Sequence, residues 1–307
     1  MSVPQAILFL VFNRPEPTSR VFDAIREARP ERLYVAADGA RTYRAGETEL
    51  CARVREIATR VDWPCELKTL FRDENLGCKA AVSGGINWFF ENEEEGIILE
   101  DDCLPGQDFF PFCTQMLERY RDDERVCMVT GDNFQGGISR GEASYYFSRY
   151  THIWGWATWR RAWQHYDLDM SYWPGFRKSK RWRSLFESSR EKWYWTRVFD
   201  RSYHGRIDTW DYAWLACNWY AGGLTVTPNC NLVENIGMGE DATHTRQSDS
   251  TPSYPVQSLG TIAHCDKVER CVEADDHVFK TFFHESWLSL ARRSPGILRA
   301  EVSRLFS

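Results

Sequence analysis

The stretch Gly96-Ile97-Ile98-Leu99-Glu100-Asp101-Asp102 runs a short apolar segment straight into three carboxylates. Consecutive apolar residues bounded by polar ones read as a strand buried on both faces. Carboxylates at its end repel one another unless a cation or a shell of hydrogen-bond donors compensates. A hard divalent ion, Mn²⁺ or Mg²⁺, takes one or two carboxylates and completes its shell with water and phosphate oxygens. The bland alternative is an N-terminal cap for the helix expected over 108–121. That helix begins several residues later, so the metal reading is preferred.

Working outward, the same pattern recurs on both sides. Strands are expected at 6–12 (AILFLVF), 33–37 (LYVAA), 66–71 and 126–130, with helices at 18–28, 47–60 and 77–91 between them. Short apolar strands alternating with helices define an α/β fold with a mostly parallel sheet and helices on both faces. Ligands of such sheets bind beyond the carboxyl ends of the strands. Asn13 and Arg14 end the first strand, Asp38 ends the second, and Lys79 lies in the first turn of the third helix. An Arg and a Lys facing carboxylates suit a diphosphate, and a carboxylate after the second strand suits a base or ribose. Together these residues describe a nucleotide-diphosphate site. Neither GxGxxG nor GxxxxGK[ST] is present, which argues against a Rossmann dehydrogenase and a P-loop NTPase.

Beyond residue 131 the pattern changes. A strand is expected at 144–148 and helices at 154–165, 191–203 and 211–220, then strand and loop to 255 and helix from about 267. Eleven of the 14 tryptophans lie between Trp154 and Trp219. The helical spacing of Trp154, Trp156, Trp159 and Trp163 assigns most of them to the core; Trp210 is the best candidate for a sugar contact. The simplest organisation is one unit: a nucleotide-sugar-binding half at 1–131, an acceptor-side half at 132–260 and a helical segment at 261–307.

The net charge of −6 makes nucleic acid an unlikely partner. Ten cysteines without a CxxC pair read as reduced, mostly buried residues. No apolar run is long enough to span a membrane, and no basic residue precedes the first one, so the expected location is cytoplasmic. The basic run Arg177 to Arg183 leaves peripheral membrane contact open, with a solvated surface as the commoner outcome.

These motifs resemble glycosyltransferases of the GT-A fold, in the branch of eukaryotic N-acetylglucosaminyltransferase I, from the first strand to about Thr245. GIILEDDCLPGQDFF (Gly96–Phe110) is similar to that family's strand, its metal-binding Glu-Asp-Asp and the following helix start. THIWGWATW (Thr151–Trp159) resembles its Gly-x-Gly-Trp stretch, and TWDYAW (Thr209–Trp214) its Trp-Asp-Asp-Trp. NIGMGEDATHT (Asn235–Thr245) resembles the late loop that folds over bound donor. The resemblance implies Asp102 as metal ligand, with Glu100 and Asp101 on sugar, ribose or the metal's waters. It further implies Arg14 on the phosphates, Asp38 on the base, Asp211 as catalytic base and His244 on the metal or diphosphate. Asn13 stands where the family has Asp, and Tyr212-Ala213 separates Asp211 from Trp214.

The implied activity is a metal-dependent, inverting transfer from a nucleotide-sugar donor, UDP-sugar favoured and UDP-GlcNAc first, to a glycan, lipid-linked or other hydroxyl acceptor. The alternatives are a sugar-1-phosphate nucleotidylyltransferase, which normally has a Gly-rich loop after the first strand, and a non-catalytic nucleotide- or glycan-binding module.

Overall fold

The computed structural model describes residues 3–237 and 254–283. The first half comprises β1 (Ala6–Val11), α1 (Pro15–Ala28), β2 (Arg32–Ala37), α2 (Glu47–Ala58), β3 (Glu66–Phe71), α3 (Gly77–Asn92) and β4 (Glu95–Glu100). There follow β5 (Cys103–Pro105), α4 (Phe109–Arg119), β6 (Val126–Thr130), β7 (Tyr145–Ser148), β8 (Trp156–Trp159) and α5 (Arg160–Trp163). The remainder is α6 (Trp173–Phe176), α7 (Lys180–Ser184), α8 (Ser189–Tyr203), α9 (Asp211–Ala221), β9 (Leu224–Pro228), β10 (Val233–Asn235) and α10 (Val272–Val278). A π-helical turn, Phe279–Phe283, continues α10.

The apolar runs form strands because both faces of the sheet are covered; every residue of β1 and β6 is buried. Eight strands make one sheet in the order β3-β2-β1-β4-β8-β6-β9-β7. β2 and β4 flank β1, both parallel to it, with Val11 opposite Ala37 and Leu10 opposite Glu100. The chain therefore winds outward from β1 through β2 to β3, then crosses to β4 on the other side. This reversal opens a crevice beyond the ends of β1 and β4. The result is the expected mixed α/β architecture, a mostly parallel sheet between helices in a Rossmann-like arrangement.

One face carries α1, α2 and α4, whose Val21, Phe22, Ile25, Val54, Phe112 and Met116 join Phe9, Val35 and Leu99 in a single core. On the other face, Ile86 and Phe89 of α3 and Trp214 of α9 pack with Leu8, Ile98 and Trp156. A third cluster, around Trp173, Trp182, Trp195 and Trp219, binds α6 to α9 into an aromatic lobe. Nine of the eleven clustered tryptophans are buried, and each ring removes on the order of 150–250 Å² from water. Most of the cluster is therefore core.

The expected helix at 154–165 is corrected. Residues Trp156–Trp159 are β8, antiparallel to both β4 and β6, and only Arg160–Trp163 is helical. Trp156 and Trp159 consequently face opposite cores. The insertion brings residues 151–155 to the same sheet edge as the carboxyl ends of β1, β4 and β6. β10 pairs antiparallel with β5, laying residues 235–237 over the carboxylate turn. Among the described residues, no helix is long and apolar enough to cross a membrane.

Candidate active site

A cavity of about 580 Å³ opens at the strand ends. Arg14, the N-cap of α1 at the end of β1, reaches across the crevice to the carboxylate turn after β4. Its Nη1 donates to Asp102 Oδ2 at 2.9 Å, and its Nη2 pairs with Asp101 Oδ1. Burial would weaken the guanidinium's charge, but Asp101 and Asp102 outweigh it and raise its pKa. Burial also lifts Glu100 and Asp101 above the carboxylate range; repulsion among the three carboxylates adds to this while Arg14 opposes it. One arginine thus leaves an excess of negative charge in a buried turn.

The late segment closes on this pair. Ile236 N donates to Asp102 O at 2.8 Å. A Cβ on Gly237 would lie 2.2 Å from Asp102 Oδ2 and 2.7 Å from Arg14 Nη1. Only glycine lets the backbone approach so closely. His244, expected on the metal or diphosphate, lies outside the described residues.

Across the cavity stand Asp208, Thr209 and Asp211, from the α8–α9 loop and the first position of α9. Thr209 Oγ1 donates to Asp211 Oδ1. The two sides share one electrostatic environment. Cys78 lies among Glu100, Asp211, Asp208 and Asp38, and burial together with these carboxylates pushes its thiol up to about 12. This cysteine is therefore an inert thiol rather than a nucleophile.

Of the expected residues, Asn13, Arg14, Asp38, Glu100, Asp101, Asp102, Trp210 and Asp211 all border the cavity. Three of them are engaged differently from expectation. Asp38 accepts from Leu76 N at 3.0 Å, Gly77 N at 3.1 Å and Asn75 Nδ2 at 3.0 Å, so its carboxylate caps α3 instead of presenting open acceptors to a base. Asn13 donates its amide to Glu47 Oε1 at 2.8 Å. Trp210 is 1% exposed and stacked on Trp156 at 5.6 Å, so one ring face is committed to the core. Lys79 is not among the lining residues; Gly77, Cys78, Ala81 and Val82 form that side, and the helical turn carries Lys79 elsewhere.

The sequence reading missed the cations that take its place. Arg41 and Arg72 line the cavity. Glu47 holds Arg41 through its main-chain N at 2.7 Å and its guanidinium, while the Arg72 guanidinium makes no ion pair among the described residues. Arg72 directly follows β3, so the strand-end rule itself was the overlooked signal. Asp132, Thr151 and His152 were also missed, although Asp132 lies two residues beyond β6.

Among the described residues, no three His, Cys, Asp or Glu side chains form a ready-made metal cage. The available donors are carboxylate oxygens with uncompensated charge, which fit Mg²⁺ or Mn²⁺ sharing its shell with a phosphate.

A comparison with protein-family models finds no match, and none is found among curated proteins. Solved structures show a slight likeness. HddC from Yersinia pseudotuberculosis is 11% identical with a TM-score of 0.32, covering 56% of this chain and 86% of that one. The same protein complexed with GMP-PN gives 11% identity and a TM-score of 0.31, over 51% and 77% of the two chains. UDP-glucose pyrophosphorylase complexed with UDP-glucose gives 13% identity and a TM-score of 0.26, covering 47% of this chain and 62% of that one. Likeness of this degree carries no argument about this chain, and the functional reading rests on the cavity.

Proposed function

We propose that the chain is a metal-dependent, inverting glycosyltransferase that moves a sugar from a nucleoside-diphosphate donor to an acceptor hydroxyl. UDP-sugars, UDP-GlcNAc first, are the preferred donors, and the acceptor is a glycan, a lipid-linked sugar or another hydroxyl compound. The supporting observation is that the Arg14–Asp101–Asp102 cluster, at the β1/β4 crevice, shares the walls of one cavity with Asp211.

Arg14, with Arg41 and Arg72 on the walls of the same cavity, supplies positive charge for the diphosphate. Asp102 and Glu100 would hold a divalent ion, which when bound offsets the charge developing on the departing diphosphate. Asp211 accepts the proton of the attacking hydroxyl, and Thr209 fixes the carboxylate for that transfer. A base on the side opposite the leaving group gives direct displacement, hence inversion at the anomeric carbon.

The test is a thermal-shift screen of nucleotide sugars with and without Mn²⁺, followed by turnover of the stabilising donor. Asp211→Asn should abolish transfer, by 100-fold or more on the order of a lost general base, while donor affinity stays within about twofold of wild type. Full activity in that variant removes Asp211 from the mechanism. Release of pyrophosphate from a nucleoside triphosphate and a sugar 1-phosphate would instead establish nucleotidylyl transfer.

A further inference from the structure

Buried polar atoms are almost always paired, because leaving one without a partner forfeits its hydration for nothing. Of the buried side-chain polar atoms that lack a partner among the described residues, two belong to residues lining the cavity: Asp132 Oδ1 and Thr151 Oγ1. They lie on neighbouring strand ends, Asp132 just beyond β6 and Thr151 on the segment entering β8. Asp132 is fully buried, and its other oxygen is fixed by Trp154 N at 2.9 Å. His152 borders the same end of the cavity, with its ring edge-on to Phe134 at a centroid distance of 4.5 Å.

We propose that Asp132, Thr151 and His152 form a hydroxyl-reading subsite for the sugar ring carried by the donor's diphosphate. The inference rests on the donor reading above and adds to it where the sugar lies and what recognises it.

Position along the sheet supports this. The edge runs β2, β1, β4, β8, β6. A donor whose diphosphate lies at Arg14, between the ends of β1 and β4, meets the ends of β8 and β6 with its next group, which is the sugar. Chemistry agrees with position. Burial pushes the Asp132 carboxyl well above its ordinary range and the His152 imidazole down to about 3, in each case toward the uncharged form. A carboxyl, a hydroxyl and an imidazole between them supply both donors and acceptors. That set suits a polyhydroxylated ring. Trp154, half-buried and edge-to-face with Phe134 at 5.2 Å, borders the same end with apolar surface for the ring's C–H face.

Calorimetric titration with Mn²⁺ present tests the assignment, using UDP, GDP and dTDP and then the corresponding nucleotide sugars on wild type and variants. Thr151→Val deletes the hydroxyl at constant shape and leaves the Asp132–Trp154 bond in place, so it reports even if Asp132→Ala fails to fold. Loss of one such hydrogen bond is worth about fivefold in affinity. Thr151→Val and Asp132→Ala should therefore weaken the nucleotide sugar about fivefold or more while the bare nucleotide binds as to wild type. Asp132→Asn, whose amide keeps both a donor and an acceptor, should restore affinity for the nucleotide sugar. Equal weakening of nucleotide and nucleotide sugar, or no change in either, overturns the subsite while the donor reading stands. An increase in acceptor KM at constant donor affinity overturns it too, because the ring read there would be the acceptor's. If no nucleotide or nucleotide sugar binds wild type, the donor reading falls first and the subsite with it.

Discussion

Glu47 binds two walls of the cavity together from a position outside the proposed chemistry. Its carboxylate is almost fully buried and accepts from the Arg41 guanidinium, from Arg41 N at 2.7 Å and from Asn13 Nδ2 at 2.8 Å. The Arg41 hydrogen bonds outweigh the burial that opposes ionisation and hold its pKa down at about 2. A carboxylate depressed in the folded state contributes stability above its unfolded pKa near 4.3 and loses it as pH falls toward 2. Two pKa units or slightly more correspond to roughly 3 kcal/mol at pH 7. Glu47→Gln should thus lower urea-determined stability at pH 7 by roughly 2–3 kcal/mol, with the gap from wild type closing as pH approaches 2. A gap that persists at low pH would assign the loss to packing instead of ionisation. Asn13 was read from sequence as a donor contact because it ends a strand; that its amide turns to Glu47, 34 positions away, is a tertiary fact with no local signature.

α3 illustrates how one element is fixed by another. Its N-cap residue, Leu76, has no side chain able to accept from the first amides, and Asp38 from the end of β2 does so instead. Gly39 makes this approach feasible: a Cβ there would fall 2.4 Å from the Glu74 main-chain carbon. Asp38→Ala should cost about 1–2 kcal/mol, the range for a lost helix cap, seen as a lower melting temperature. Asp38→Asn, which keeps one carbonyl acceptor, should recover part of it. Recovery of none would point to charge at the helix end as the main effect. At this scale the sequence was legible where its signal was regular: β3 and β6 fall where alternation and apolar runs placed them, and β1 differs by one residue. It misled at β8, because four residues are too few to establish a period. The tryptophans at 156, 159 and 163 supplied an accidental helical spacing. The strand character there comes from pairing with β4 and β6, partners that lie far off in sequence.

For the molecule as a whole, the question is what holds the C-terminal segment against the sheet so that Phe282 and Phe283 line the cavity. The answer is a buried ionic tie. Arg149, directly after β7, is 4% exposed and pairs with Glu191 in α8. Asp275 in α10 is 1% exposed; it accepts from Ser148 Oγ at 2.5 Å and Arg270 Nε at 2.5 Å, and lies 3.9 Å from Arg149 Nε. The Arg149 guanidinium also sits 4.9 Å from the centroid of the Trp219 ring. Partners separated by 42 and 126 positions leave no pattern that spacing could reveal, which is why the basic run at Arg177–Arg183 drew attention and Arg149 did not. Removing one member of a buried ionic group strands the others, at a cost of about 3–5 kcal/mol, whereas replacing a pair by apolar residues is often close to neutral. Arg149→Met should therefore destabilise by about 3–5 kcal/mol in urea unfolding, and Arg149→Met with Glu191→Leu should recover a substantial part, Asp275 keeping Arg270. If the tie also positions the Phe282–Phe283 wall, the single variant should become sensitive to proteolysis after Arg270 at temperatures where it is still folded. Its acceptor KM should rise while affinity for the bare nucleoside diphosphate, set at the β1/β4 crevice, holds. A variant that loses both affinities together would show that the tie supports the sheet itself; one that loses only acceptor binding places its effect at the wall.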